Sequence, residues 1–203
     1  MKALPKKLLP LTLLGIAVTS LFFVQPAQAY SVTLQEIGPD VVAIGSGSIN
    51  LTGLSFFGSD PIAGPLIQPK SGFILTGLNM SFPLYMYRGF TGPRQFGPGS
   101  RTFASSGSGD FVGIGGILLF VPLGYVSGTA LSDSSIYNSA TFASLGVTPG
   151  TYVWSWGTGL PNQNFTLIIG SGVPLPVPDG GSTVSLLGCA LLGLAALRRK
   201  LNR

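Results

Sequence analysis

Residues 151–159 read "TYVWSWGTG" and residues 164–170 read "NFTLIIG". In the first stretch Tyr152, Trp154 and Trp156 alternate with Thr151, Val153 and Ser155. That period of two sets the aromatics on one face of a strand. In the second stretch Phe165, Leu167 and Ile169 repeat the pattern. Pro161-Asn162 between them is turn chemistry, so the two runs are expected to pair as a hairpin.

The same texture extends upstream. "YSVTLQEI" at residues 30–37 carries Val32 and Leu34 at period two, and "GPD" at Gly38 to Asp40 is a turn signal. "VVAIGSGSINLTGL", residues 41–54, reads as two strands across a Gly-Ser turn. The chain holds 30 Gly and 16 Pro in 203 residues and is only 8% charged. Such a composition suits short strands joined by turns and penalises helix interiors. Several short strands at this spacing predict an all-β fold, an antiparallel β-sandwich-like domain. The recurring Thr-Gly-Leu at Thr52, Thr76 and Thr158 is too short to count as a repeat.

The net charge of +5 belongs to the ends. Lys2, Lys6 and Lys7 stand at the front, and Arg198, Arg199, Lys200 and Arg203 at the back. Between residues 30 and 178 there are four basic residues (Lys70, Arg88, Arg94, Arg101) and five acidic ones (Glu36, Asp40, Asp60, Asp110, Asp133). A nearly neutral body argues against nucleic acid as a partner. The single cysteine, Cys189, allows no intramolecular disulfide, and the chain has no histidine. A Ser-His-Asp triad and a Cys-His zinc site are therefore excluded, and neither a cofactor nor a metal is expected.

The front of the chain has a basic start, an apolar run from Leu8 to Val24, and the small-x-small triplet Ala27-Gln28-Ala29. This is the layout of a secretory signal helix cut after Ala29 by signal peptidase, with an uncleaved membrane anchor as the alternative. At the other end Ser182 to Leu197 is apolar nearly all round. As a helix it spans about 24 Å, short of the roughly 30 Å of a hydrocarbon core. Snorkelling by Arg198, Arg199 and Lys200 offsets the shortfall and makes them a basic stop. A buried core helix would fit the length but not the adjoining basic cluster. Basic residues favour the cytoplasmic side, so the two ends predict one topology with the body outside.

The tail resembles the PEP-CTERM class of bacterial sorting tails, in the variant whose core is Val-Pro-Asp-Ser-Gly. Here the motif stands as Val177-Pro178-Asp179-Gly180-Gly181, with Gly180 replacing Ser, followed by the apolar run and the basic stop. The resemblance implies an exosortase as partner, a membrane protease-transpeptidase that would cut near the motif. Pro174, Pro176 and Pro178 keep the segment extended for such a partner. Residues 119–131 and 149–170 also resemble segments of proteins that carry these tails, which implies an exported β-rich domain. The expected organisation is a signal peptide at 1–29, a β-rich domain at 30–170, a Pro/Gly linker with the motif at 171–181, a transmembrane helix at 182–197 and a basic cytoplasmic tail at 198–203.

Within the body the candidates for chemistry are few. Tyr152, Trp154 and Trp156 could form a sugar-stacking platform for exopolysaccharide, or could be a core face. Arg88, Arg94 and Arg101 with Phe90, Phe96 and Phe103 mimic a nucleic-acid patch, against which a mobile surface loop is weighed. Ser46 and Ser48 in "GSGS" and Ser108 in "SSGSGD" look like nucleophile loops without a base, and read as flexible turns. Glu36 with Asp40 could act as a glycosidase pair, against simple solvation. Asp110 and Asp133 lack calcium-loop spacing. The expected role is that of a non-enzymatic, exported structural or interaction protein, with a carbohydrate-binding module and a carboxylate hydrolase as rivals.

Overall fold

The computed structural model describes residues 28–170. The signal segment through Ala27, the linker, the sorting motif, the apolar run and the basic tail lie outside the described residues. In chain order the strands are β1 (Tyr30–Ile37), β2 (Asp40–Ser48), β3 (Ser55–Ile62), β4 (Leu66–Gln68), β5 (Phe73–Thr76) and β6 (Phe82–Arg88). They continue as β7 (Thr102–Phe103), β8 (Ser106–Gly109), β9 (Val112–Gly115) and β10 (Leu118–Pro122). The last three are β11 (Ala130–Tyr137), β12 (Gly150–Ser155) and β13 (Asn164–Ile169). A 3-10 turn at Pro69–Ser71 and one short helix, α1 (Phe142–Leu145), complete the described elements.

The strands form a six-stranded sheet, β12-β13-β1-β2-β11-β8, and a seven-stranded sheet, β3-β6-β10-β9-β5-β4-β7. One buried cluster takes Val32, Leu34, Phe165 and Leu167 from the first sheet and Ile67, Ile74, Ile114 and Leu119 from the second. Alternation along each strand supplies it. In β1, Tyr30, Val32 and Leu34 are buried while Ser31, Thr33 and Gln35 are only partly so. β13 buries Phe165, Leu167 and Ile169 in the same way. Stacking two such apolar faces is what removes both from water. A smaller cluster of Leu75, Leu84, Met86, Phe111 and Phe120 packs separately; β10 feeds both, with Leu119 and Val121 in one and Phe120 in the other.

The hairpin of β12 and β13 forms as the sequence predicts, with Trp154 opposite Phe165. The Gly38-Pro39 turn likewise joins β1 to β2, and Gly38 adopts the left-handed φ of +62° that a side chain would resist. Two expectations need correction. The sandwich is not wholly antiparallel: β1 lies parallel to β13, from Tyr30 beside Phe165 to Leu34 beside Ile169. Residues 45–48 make no turn either. β2 runs straight through Gly45-Ser46-Gly47-Ser48. The glycines serve close approach rather than reversal. A methyl group on Gly45 would collide with the Tyr30 hydroxyl and the Asp133 carboxylate. One on Gly47 would stand 2.6 Å from the Ala29 carbonyl oxygen. "SSGSGD" corrects in the same direction, because Ser106–Gly109 is strand β8 and Ser108 Oγ lies 3.0 Å from Ser134 Oγ on β11.

Candidate functional site

The aromatic face of β12 points inward. Trp154 is 1% exposed and Trp156 6%. Their indole N–H groups donate to the Pro93 carbonyl at 2.9 Å and the Asn50 carbonyl at 2.7 Å. Tyr152 is half-buried, and its hydroxyl donates to the Thr148 carbonyl at 2.9 Å. Trp154 meets Phe165 edge to face at 5.8 Å, and Tyr152 meets Phe96. Trp154 and Trp156 are therefore core of the sandwich and Tyr152 its half-buried wall, an inward face rather than an exposed platform. Burial with a satisfied N–H is the favoured state for indole.

The carboxylates have structural partners. Glu36 Oε1 accepts from the Phe142 N–H at 2.6 Å, at the first turn of α1. Asp40 Oδ1 accepts from the Ser139 N–H at 2.8 Å. Together they tie the loop after β11 to the turn between β1 and β2, a use beyond the plain solvation expected of them. Asp110 Oδ2 accepts from the Ser132 N–H at 2.8 Å.

Asp133 differs from the others. It is 5% exposed, on the inward face of β11 with Leu131, Ser135 and Tyr137. The Tyr30 hydroxyl donates to its Oδ2, and Thr76 Oγ1 from β5 of the opposite sheet stands 3.4 Å from that hydroxyl. Its Oδ1 has no partner among the described residues. Burial pushes the carboxyl up to about 6, against a smaller downward pull from the Tyr30 and Thr76 hydrogen bonds. Burial, reinforced by the Asp133 charge, raises Tyr30 in turn. Three polar side chains thus bridge the two sheets inside the core. The cluster is closed to substrate and holds the sheets in register. Among the described residues no group of three or more His, Cys, Asp or Glu could hold a metal. Sequence reading missed the role of Asp133, although its two-residue offset from Leu131 and from Ser135 carried the signal.

The segment of residues 89–101 is not a free loop. Phe96 is 1% exposed; its N–H donates to the Pro69 carbonyl, and its carbonyl accepts from the Thr148 N–H. Phe103 is half exposed and Phe90 partly buried. The segment folds over the 3-10 turn. The Lys70 N–H donates to the Gly99 carbonyl at 3.1 Å, and Arg101 Nε donates to Gln68 Oε1 at 3.1 Å. A methyl on Gly72 would stand 2.9 Å from the Arg94 carbonyl carbon. Arg88 stands apart, with its guanidinium carbon 5.4 Å above the ring of Phe57 on the edge strand β3. Between this segment, the 3-10 turn and the β9–β10 turn lies a cleft of about 440 Å³, lined by Ser71, Phe90, Thr91, Arg94, Ile117 and Trp154.

At the front, the Ala29-Tyr30 junction is stitched to the first sheet. Ala29 forms a bridge with Ser48, and the Ser48 N–H donates to the Gln28 carbonyl at 2.8 Å. Tyr30 is fully buried.

Comparison with protein families marks the other end of the chain as a PEP-CTERM-type C-terminal sorting tail. The matching family is the VPDSG-CTERM motif, over residues 176–201, which takes in Val177 to Gly181, the apolar run and Arg198-Arg199-Lys200. No curated protein and no solved structure matches the chain. Among the described residues no helix is long and apolar enough to cross a membrane, and the apolar run at 182–197 lies outside them.

Proposed function

We propose that this chain is an exported protein whose tail is processed by an exosortase, leaving the β-sandwich at the cell surface or in the extracellular matrix as a non-enzymatic interaction protein. The observation that carries the reading is the match of residues 176–201 to the sorting motif. Signal peptidase, acting after Ala29, would free the front. The apolar run would hold the precursor in the membrane while the extended Val177-Pro178-Asp179 segment meets the enzyme. The preference over a carboxylate hydrolase is supported by the body itself, where Glu36, Asp40, Asp110 and Asp133 are engaged in holding the fold.

The test is intact mass of the protein recovered from the surface and medium of its native cells. The same is measured for a Pro178→Ala, Asp179→Ala double variant. The expected wild-type product begins at Tyr30 and ends between Val177 and Gly181, while the variant keeps Arg203. Retention of Arg203 by both would make the tail a plain anchor and end the exosortase reading.

A further inference from the structure

Charge on the folded body is segregated. Of its four basic residues, Lys70, Arg94 and Arg101 all gather around the single 3-10 turn at Pro69–Ser71. All three are exposed. Four of the five carboxylates are committed elsewhere: Glu36, Asp40 and Asp110 to backbone N–H groups and Asp133 to the core. The fifth, Asp60, lies on β3 at the edge of the seven-stranded sheet. Among the described residues no carboxylate lines the cleft of about 440 Å³ beside the turn, and Arg94 is its one charged wall. The other walls are of two kinds. Phe90 and Ile117, the latter 67% exposed, are apolar; Ser71 and Thr91 supply hydroxyls. Gly92 lies flat against the floor, where a methyl would come to 2.5 Å from Trp154 Cδ1.

A concave site with apolar sides, a few polar groups and one uncompensated cation selects a ring-shaped ligand that carries an anion. We propose that this cleft binds the uronic-acid units of an acidic polysaccharide. Arg94 takes the sugar carboxylate through paired N–H donors, and Phe90 and Ile117 flank the ring. Ser71 and Thr91 meet its hydroxyls. Lys70 and Arg101, outside the cleft, attract neighbouring carboxylates along the chain. A duplex would ask for a broad basic surface of many phosphate contacts, whereas this cleft accommodates a sugar ring or two. The inference rests on the exported placement above, because an acidic matrix is met outside the cell. Its test does not depend on that placement.

The experiment titrates trigalacturonate into the full chain in nonionic detergent, read by calorimetry and by tryptophan emission, since Trp154 lines the cleft and Trp156 does not. Parallel titrations use galacturonic acid, the neutral trimer maltotriose and a single-stranded DNA 12-mer. Trigalacturonate is expected to bind roughly tenfold tighter than maltotriose and to weaken as salt rises. Arg94→Gln should weaken it roughly tenfold. Ile117→Asp, which sets a repelling carboxylate on the exposed rim, should do likewise, and Arg88→Gln should leave it unchanged. Loss in Arg94→Gln beside no loss in Arg88→Gln also separates the cleft from the basic tails, which both variants keep. Equal affinity for maltotriose, an equal loss in Arg88→Gln, or no loss in both cleft variants would overturn the proposal. Galacturonic acid binding as tightly as the trimer would assign the cleft to a free sugar acid instead. Tighter DNA binding, lost in Arg94→Gln, would assign it to nucleic acid. Whether the protein is exported and trimmed is read separately, from the mass of the native product.

Discussion

Asp133 stands on a face of β11 where its neighbours at the same period are Leu131, Ser135 and Tyr137. Its carboxyl sits at about 6, raised from the 3.8 of a free side chain chiefly by burial. An unfolded chain releases this proton near pH 4, while the folded chain holds it until near pH 6. Between those values the folded state binds more protons, so stability falls as pH rises. The contribution is complete below about pH 4 and lost above about pH 6, a change on the order of 2–3 kcal/mol. Urea denaturation from pH 4 to pH 8 should show that decline. Asp133→Asn, which keeps an acceptor for the Tyr30 hydroxyl but cannot ionise, should flatten it; an unchanged slope would remove Asp133 as its source. Trp154 carries the contrasting lesson at this scale. Alternation told which way its ring points relative to Thr151, but nothing in nine residues told whether that side faced water or the second sheet. The answer is supplied by Phe165, across the hairpin, and by the Pro93 carbonyl, distant in sequence.

At the scale of elements, the strands legible in advance were those with large residues at every second position, such as β1, β12 and β13. β2 was misread because Gly-Ser-Gly-Ser is ordinary turn chemistry, and its extended state depends on what lies over it. Gly45 is vacant because the Tyr30 side chain crosses it on the way to Asp133. Gly45→Ala should therefore destabilise the sandwich by about 1–3 kcal/mol through overpacking and displacement of that hydrogen bond. In a turn the same change would cost a few tenths of that. A thermal melt of the variant decides it, and an unaltered midpoint would mean that the Tyr30 ring can move aside. The edge strand β3 was invisible for another reason. Among the described strands only β6 flanks it, Phe56 and Phe57 are at least half exposed, and no alternation survives. A register shift between Phe56 and Gly58, together with Pro61, guards it against pairing with other chains.

Over the whole molecule, sequence motifs carry the address and the fold carries the surface. The tail could be read from local order alone, since motif, apolar run and basic stop follow one another within residues 176–201. The cleft could not, because Ser71, Thr91, Ile117 and Trp154 meet only once both sheets are assembled. The basic residues around it were visible but looked scattered, and packing of Phe96 beside Pro69 is what draws Arg94 and Arg101 to Lys70.

The stitched junction at Ala29 sets a schedule. A leader peptidase needs the chain on both sides of its target bond to lie extended in its own groove. In the finished sandwich Ala29 is bridged to Ser48, and Tyr30 is fully buried. If a leader is removed after Ala29, trimming must then win a race against the docking of β1, and a chain that folds first would keep its leader. Purified precursor, folded in detergent and given signal peptidase, should stay intact while a peptide of residues 15–40 is cut between Ala29 and Tyr30. Equal cutting of both would show that β1 opens freely, and an uncut peptide would instead remove Ala29 as the leader boundary. A leader removed after Ala29 would thus be released while the first strand is still a thread, and the sandwich would close only afterwards.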